Sequence, residues 1–187
     1  MAKITSIRIV LAYAAHHNLE IISFDVKTAF LHAKLSTVIF CKLIPGFPKA
    51  DPTLVLRLLV TLYGLCQSSY EFYMLLHSLM TCIGIVRCKV DHAVICSHWS
   101  TPLDPTIPVP PNGHDLLLMV PVHVDDGLAV TNSIPLYTWF IAELSKELEV
   151  VDLGPVSMFL AICIHHNHAH QKKILSQKSF ITDLLDT

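Results

Sequence analysis

Asp125 and Asp126 stand side by side at the end of an almost wholly apolar run, Leu116 to Val124. Asp25 lies a hundred residues earlier in Ile21 to Phe30 (IISFDVKTAF), again directly after apolar residues that read as a buried strand. Carboxylates crowded within roughly 4 Å repel one another and raise each other's pKa, so a site that keeps several of them ionised needs cations between them. Oxygen-only ligand sets favour Mg²⁺ or Mn²⁺, and two such ions about 3.5 to 4 Å apart can clamp the attacking and leaving oxygens of a phosphoryl transfer. Nucleotidyl transfer is the chemistry such a set suits. The same residues also fit a plain hairpin, with an Asp-Gly turn, a return strand Leu128 to Thr131 and solvated acids at its tip. Asp25 alone fits a capping or turn residue.

The elements that must position these acids can be read from periodicity. Ile4 to His17 places Ile4, Ile7, Leu11, Ala14 and Ala15 on one helical face, with no breaker, and leads into the Asp25 strand. Ser68 to Ile83 reads as a second helix with Phe72, Leu75, Leu76 and Leu79 as its apolar stripe. Pro135 to Leu148 forms a third, and Lys178 to Leu185 a short fourth. Val94 to Ser97 and Leu116 to Val124 read as strands. Between them TPLDPTIPVPPNG, residues 101 to 113, holds five of the eleven prolines, which excludes a helix or central strand and predicts a surface loop over 101–114.

Several blocks in order resemble the reverse transcriptase of copia-type retrotransposons: FDVKTAFLHAKL (Phe24 to Leu35), IPGF (Ile44 to Phe47), LYGLCQSSYEFY (Leu62 to Tyr73), HVDDGLAVTN (His123 to Asn132), VDLGPVSMFLAI (Val151 to Ile162) and LSQKSFITDLLD (Leu175 to Asp186). The resemblance covers nearly all of residues 1–187 and implies an α+β fold. That fold would be a right-handed polymerase palm with partial fingers, a small antiparallel sheet carrying the acids and backed by helices. It implies Asp25, Asp125 and Asp126 as catalytic and metal-binding residues, holding two Mg²⁺ or Mn²⁺ ions. Phe30 would lie under the incoming sugar, excluding a 2′-hydroxyl, and Gln67 would contact the nucleotide or template. By burial alone Phe30 equally fits a core phenylalanine, and Gln67 an exposed residue at a helix start. The implied partners are an RNA or DNA template-primer, dNTPs, and the ribonuclease H and integrase segments of a longer polyprotein. The opening AKITSIRIVLA resembles the middle of a longer polymerase, so this stretch reads as a fragment, with its present activity open.

Three places depart from the family pattern. His123 replaces a tyrosine ahead of the acidic pair, Cys66 stands where Lys or Arg is usual, and Ala161 stands where a glycine is usual. A glycine there would permit a close approach or an unusual φ that a methyl group opposes. His165, His166, His168 and His170 form a run that suits a transition metal or, alternatively, a polar turn between strands. Where the family has arginine-rich sequence, Cys66, Cys163 and several of these histidines are one base change from arginine codons. A decayed copy is therefore the second functional reading, a non-enzymatic remnant that binds nucleic acid or protein. A histidine-based metal binder is the third.

Composition bounds the rest. The 187 residues are 52% hydrophobic with a formal net charge of −2, enough for one sizeable core and without the basic excess of most nucleic-acid binders. Lys172, Lys173 and Lys178 form a local basic cluster, read as a solvated turn. No apolar run reaches the roughly 18 residues a membrane span needs, and no signal peptide is evident, so an intracellular, membrane-free setting is expected. Six cysteines without a Cys-x-x-Cys pair read as free thiols.

Overall fold

The computed structural model describes residues 1–43, 46, 54–100, 105, 107–108, 115–170 and 172–185. In chain order these form α1 (Ile4–His16), β1 (Glu20–Val26), α2 (Ala29–His32), β2 (Lys34–Lys42), β3 (Val55–Val60), α3 (Ser68–Cys82), β4 (Val86–Arg87) and β5 (Val94–Trp99). There follow β6 (Leu116–His123), β7 (Asp126–Thr131), α4 (Ile134–Leu144), β8 (Val150–Pro155), β9 (Met158–Phe159), β10 (Ile162–Asn167), a 3₁₀ turn (His168–His170), β11 (Lys172–Ser176) and α5 (Lys178–Leu185). The fold is α+β with antiparallel sheets. Most of the IPGF block and of the proline-rich 101–114 segment lies outside the described residues. Ile107, which is described, is buried in the core.

The central sheet runs β4-β5-β6-β7-β1-β8 among the described residues, with antiparallel pairing. Alternation along each strand sends one set of side chains to each face. Phe24 and Val26 of β1, Leu118, Val120 and Val122 of β6 and Ala129 of β7 pack with Phe72, Leu76 and Met80 of α3 and Leu136, Phe140 and Leu144 of α4. The opposite set, including Ile21, Leu128 and Val130, packs with Ile7, Val10, Leu11 and Ala14 of α1 and with Phe159, Ile162 and Ile164. Those last three belong to a separate sheet, β11-β10-β9. The expected sheet backed by helices is thus covered on both faces. Leu116–Val122 is apolar throughout because neither of its faces meets water for long.

Two helix ends show local chemistry at work. Asn18 takes a left-handed φ of 51° and the Leu19 N–H reaches back to the Ala14 carbonyl at 2.9 Å, closing α1 one residue before the expected His17. Ser133 caps α4 by accepting from the Leu136 N–H at 3.4 Å. α4 ends at Leu144 instead of Leu148, because Leu148 turns into the core ahead of β8.

The start of α1 is capped from a distance. Lys3 at its N-cap makes no side-chain cap bond. The buried Asp91 carboxylate accepts from the Lys3 N–H at 2.9 Å and from the Ala93 N–H at 3.1 Å. Burial pushes the Asp91 carboxyl up, but hydrogen bonds from the Ser6 hydroxyl and those two N–H groups outweigh it and leave its pKa below the usual value.

Lys173 corrects the expectation of a solvated basic turn. Its ammonium donates to the Leu19 carbonyl at 3.1 Å, tying β11 to the end of α1, and burial lowers its pKa to about 8. The six cysteines are free thiols. Among the described residues no helix is long and apolar enough to cross a membrane.

Candidate active site

Strand register brings the three acids to one end of the central sheet. Asp25 pairs directly with Asp126 across β1 and β7, and His123 pairs with Asp126 across β6 and β7. Residues paired across antiparallel strands share a face, so His123, Asp126 and Asp25 form a row across three strands. Asp125 sits in the turn that joins β6 to β7, and its carbonyl accepts the Val26 N–H at 3.0 Å, pinning the turn to the end of β1.

The turn is not the expected Asp-Gly turn. His123 pairs with Asp126, so the two loop residues are Val124 and Asp125, and Val124 carries a left-handed φ of 63°. A β-branched residue there is strained, of order 1–3 kcal/mol. Asp126 and Gly127 belong to β7. Gly127 lies opposite Phe24, and a Cβ on it would come within 2.2 Å of the Phe24 ring. That glycine makes room for a core ring one residue away from the acids.

The electrostatics follow from this crowding. Burial pushes the Asp25 carboxyl above its usual pKa, the neighbouring Asp125 charge adds to it, and Lys27 partly offsets it. Burial likewise raises Asp126, with Asp125 and Asp25 adding and His123 opposing. All three acids are half-buried. The His123 Nδ1 is buried and, among the described residues, has no hydrogen-bond partner. The donor set is therefore hard carboxylate oxygen, partly buried and mutually repelling, a combination that a divalent cation would relieve. As the side chains stand, no three His, Cys, Asp or Glu groups among the described residues are arranged to close on one metal ion.

Phe30 and Gln67 lie on neighbouring elements. Phe30 is on α2, which follows β1 after Lys27 and Thr28, and it is buried at 9% exposure. Its ring meets Phe72 at 6.4 Å and Tyr63 at 4.8 Å between centroids. Gln67 is the half-buried N-cap residue of α3, and its carbonyl accepts the Tyr70 and Glu71 N–H groups at 3.0 Å each. Cys66 beside it is exposed.

The histidine run is divided by the fold. His165 and His166 lie on β10 opposite Ile174 and Lys173, and the His170 Nδ1 lies 3.1 Å from the Asn167 Oδ1 in the following 3₁₀ turn. The His168 side chain is outside the described residues. Two of the histidines thus lie on a paired strand and the others in the 3₁₀ turn that follows it.

Sequence reasoning missed three contributors. Tyr63 lay in a recognised block without a role, Gly127 was assigned to a turn, and nothing in the local sequence marks Asp91 as the cap of a helix 88 residues upstream.

The family pattern for reverse transcriptase (RNA-dependent DNA polymerase) matches residues 1–187. The chain is 33% identical over 187 residues to the retrovirus-related Pol polyprotein from transposon TNT 1-94 of Nicotiana tabacum, covering 100% of this chain and 13% of that protein. It is 30% identical to the corresponding polyprotein from transposon RE2 of Arabidopsis thaliana, covering 98% of this chain and 12% of that one. The same shares hold for transposon RE1 of Arabidopsis thaliana, at 31% identity. The chain thus spans about an eighth of the length of these relatives. No solved structure matches. On this full-length match the chain belongs to the reverse transcriptase (RNA-dependent DNA polymerase) family, in the form carried by copia-type retrotransposon Pol polyproteins.

Proposed function

We propose that this chain is the palm, with part of the fingers, of a copia-type RNA-directed DNA polymerase. The central sheet with α3 and α4 would be the palm, and the β2–β3 ribbon a piece of the fingers. The observation that carries this reading is the register that sets Asp25 opposite Asp126, with Asp125 in the connecting turn, in a chain of this family.

Asp25, Asp125 and Asp126 would hold two Mg²⁺ or Mn²⁺ ions, whose chemistry would be to neutralise charge developing on a triphosphate and its leaving pyrophosphate. The carboxylates' own part is to stay ionised at the open end of a rigid sheet. Burial first, and neighbouring carboxylate charge second, raise the pKa values of Asp25 and Asp126. The Val26 N–H bond to the Asp125 carbonyl fixes the turn against β1, so the carboxylate of Asp125 is presented by a backbone that cannot swing freely. Phe30 and Gln67 would position the nucleotide. The substrates would be dNTPs and an RNA or DNA template-primer, and the partners would be the ribonuclease H and integrase segments of the polyprotein.

Primer extension on an RNA template by the purified chain, with dNTPs and Mg²⁺ or Mn²⁺, tests this. Extension that is lost in Asp125→Asn and Asp126→Asn supports the assignment. Extension that survives both substitutions, or none from folded chain with either metal, overturns it.

A further inference from the structure

Three sulfur-bearing side chains share one face at the β4 edge of the central sheet. β4 and β5 pair Val86 with Cys96 and Arg87 with Ile95. The Cys88 N–H donates to the Val94 carbonyl at 2.8 Å, so the pairing runs on past β4 and sets Cys88 opposite Val94. Cys88 and Cys96 are therefore diagonal neighbours on the same face. On the other side of β5, Cys96 pairs directly with Met119 of β6. Cys88 and Met119 both pack against the core under α1, and all three residues are half-buried. Met119 precedes His123 by four residues on β6, which places this group roughly 13 Å along the strand from the acidic row.

The local chemistry favours an ion between the sulfurs. Both cysteines are free thiols. The Asp91 and Val90 N–H groups donate to the Cys88 sulfur and hold its pKa below the usual value, outweighing burial. Burial pushes the Cys96 thiol up and the neighbouring Cys88 charge adds to it, so a second thiolate beside the first calls for a cation. A direct sulfur–sulfur bond fits less well, because diagonal neighbours have Cα atoms about 7 to 8 Å apart and disulfides mostly need roughly 4.4 to 6.8 Å. An ion held by two metal–sulfur bonds of about 2.3 Å, the length seen in zinc thiolates, spans that gap. Thiolate and thioether are soft donors of the kind that select Cu(I). Zn²⁺ draws on thiolate, imidazole and carboxylate, normally four in all, and a thioether is not among its usual ligands.

We propose that Cys88, Cys96 and Met119 form a binding site for Cu(I). Binding turns the two thiols into thiolates, releases their two protons to water and makes copper–sulfur bonds without changing the oxidation state of metal or sulfur. The ion would tie β4, β5 and β6 together at the edge of the sheet. The site uses none of the acids and is independent of the polymerase reading.

The full chain, reduced and kept free of oxygen, is titrated with Cu(I) in competition with the chromophoric chelator bicinchoninate, and X-ray absorption at the copper edge reports the donor atoms. Thermal melts show that each variant is folded. The parent takes a single Cu(I) from the chelator into a shell made only of sulfur. Cys88→Ser and Cys96→Ser each lose that ion. Met119→Leu, which nearly conserves volume, binds it more weakly and with one sulfur fewer. A chain with Cys41, Cys66, Cys82 and Cys163 all changed to serine binds as the parent does. The proposal is overturned if the folded parent leaves the copper on the chelator, if Cys88→Ser and Cys96→Ser keep it, if Met119→Leu matches the parent in affinity and shell, or if the four-serine chain loses the ion.

Discussion

Ala161 is a methyl group in a place built for glycine, and removing it should stabilise the protein. Phe159 pairs with Ile162 across β9 and β10, so Leu160 and Ala161 are the two loop residues of a tight hairpin, with φ values of 49° and 60°. Two successive left-handed residues define the turn type that favours Asn-Gly. A left-handed conformation costs a residue with a Cβ roughly 1–2 kcal/mol. Glycine gives back about 0.4–1 kcal/mol through the greater freedom of the unfolded chain. Ala161 is exposed, so its methyl takes no buried contact with it when removed. The balance for Ala161→Gly is a gain of about 0.5–1 kcal/mol, or roughly 1–4 °C in Tm for a chain of this size. Urea unfolding should show a higher midpoint with an unchanged slope. Ala161→Val should move the midpoint the other way, because a second branch at Cβ worsens the same clash. A midpoint that falls or stays put in Ala161→Gly would refute the claim that the left-handed backbone is strained by the methyl.

The remaining predictions concern packing and charge. Gly127→Ala should cost about 1–3 kcal/mol or more, since the new Cβ falls within 2.2 Å of a buried ring with no free end to move, and chemical denaturation will measure it. Asp91→Ala should cost about 1–2 kcal/mol at neutral pH, the usual worth of a helix cap. The Asp91 pKa is depressed in the folded state, so its contribution is present above the unfolded value of 3.8 and lost as pH falls through the folded value. The difference between parent and variant should therefore shrink below about pH 4 in acid titrations of stability. The acidic site has the opposite sign. Asp25 and Asp126 titrate above 3.8 in the folded state, so their charged forms lower stability at pH values above the folded pKa, and that loss disappears below the unfolded one. Asp125→Asn relieves both and should stabilise the metal-free protein at pH 7 by a few tenths of a kcal/mol, a modest gain because these groups are partly solvated. A melt at pH 7 that shows Asp125→Asn less stable than the parent would count against the Asp125 charge as a contributor to the shifts.

Local pattern alone determined a good part of this protein. The spacing of Ile7, Leu11 and Ala14, and of Phe72, Leu76 and Leu79, declared α1 and α3. The apolar runs before Asp25 and Asp125 declared β1 and β6, the strands that lead to the acids. The order of the blocks declared the family. These signals are legible because helix and strand periods act within a few residues of one another, and because the acids sit at fixed offsets from the strand ends. What the chain order leaves open is everything set by pairing between distant segments. Only the register of β1 on β7 places Asp25 opposite Asp126 and Phe24 over Gly127, which turns an apparent turn glycine into a packing one. Only the packing of the β4–β5 loop on α1 makes Asp91 a helix cap. Burial of Phe30 beneath Tyr63 likewise depends on hydrogen bonds that join α2 to the turn before α3, some thirty residues apart in sequence. Backbone pairing and side-chain exclusion act through space, so the residues they join need share no period in the chain.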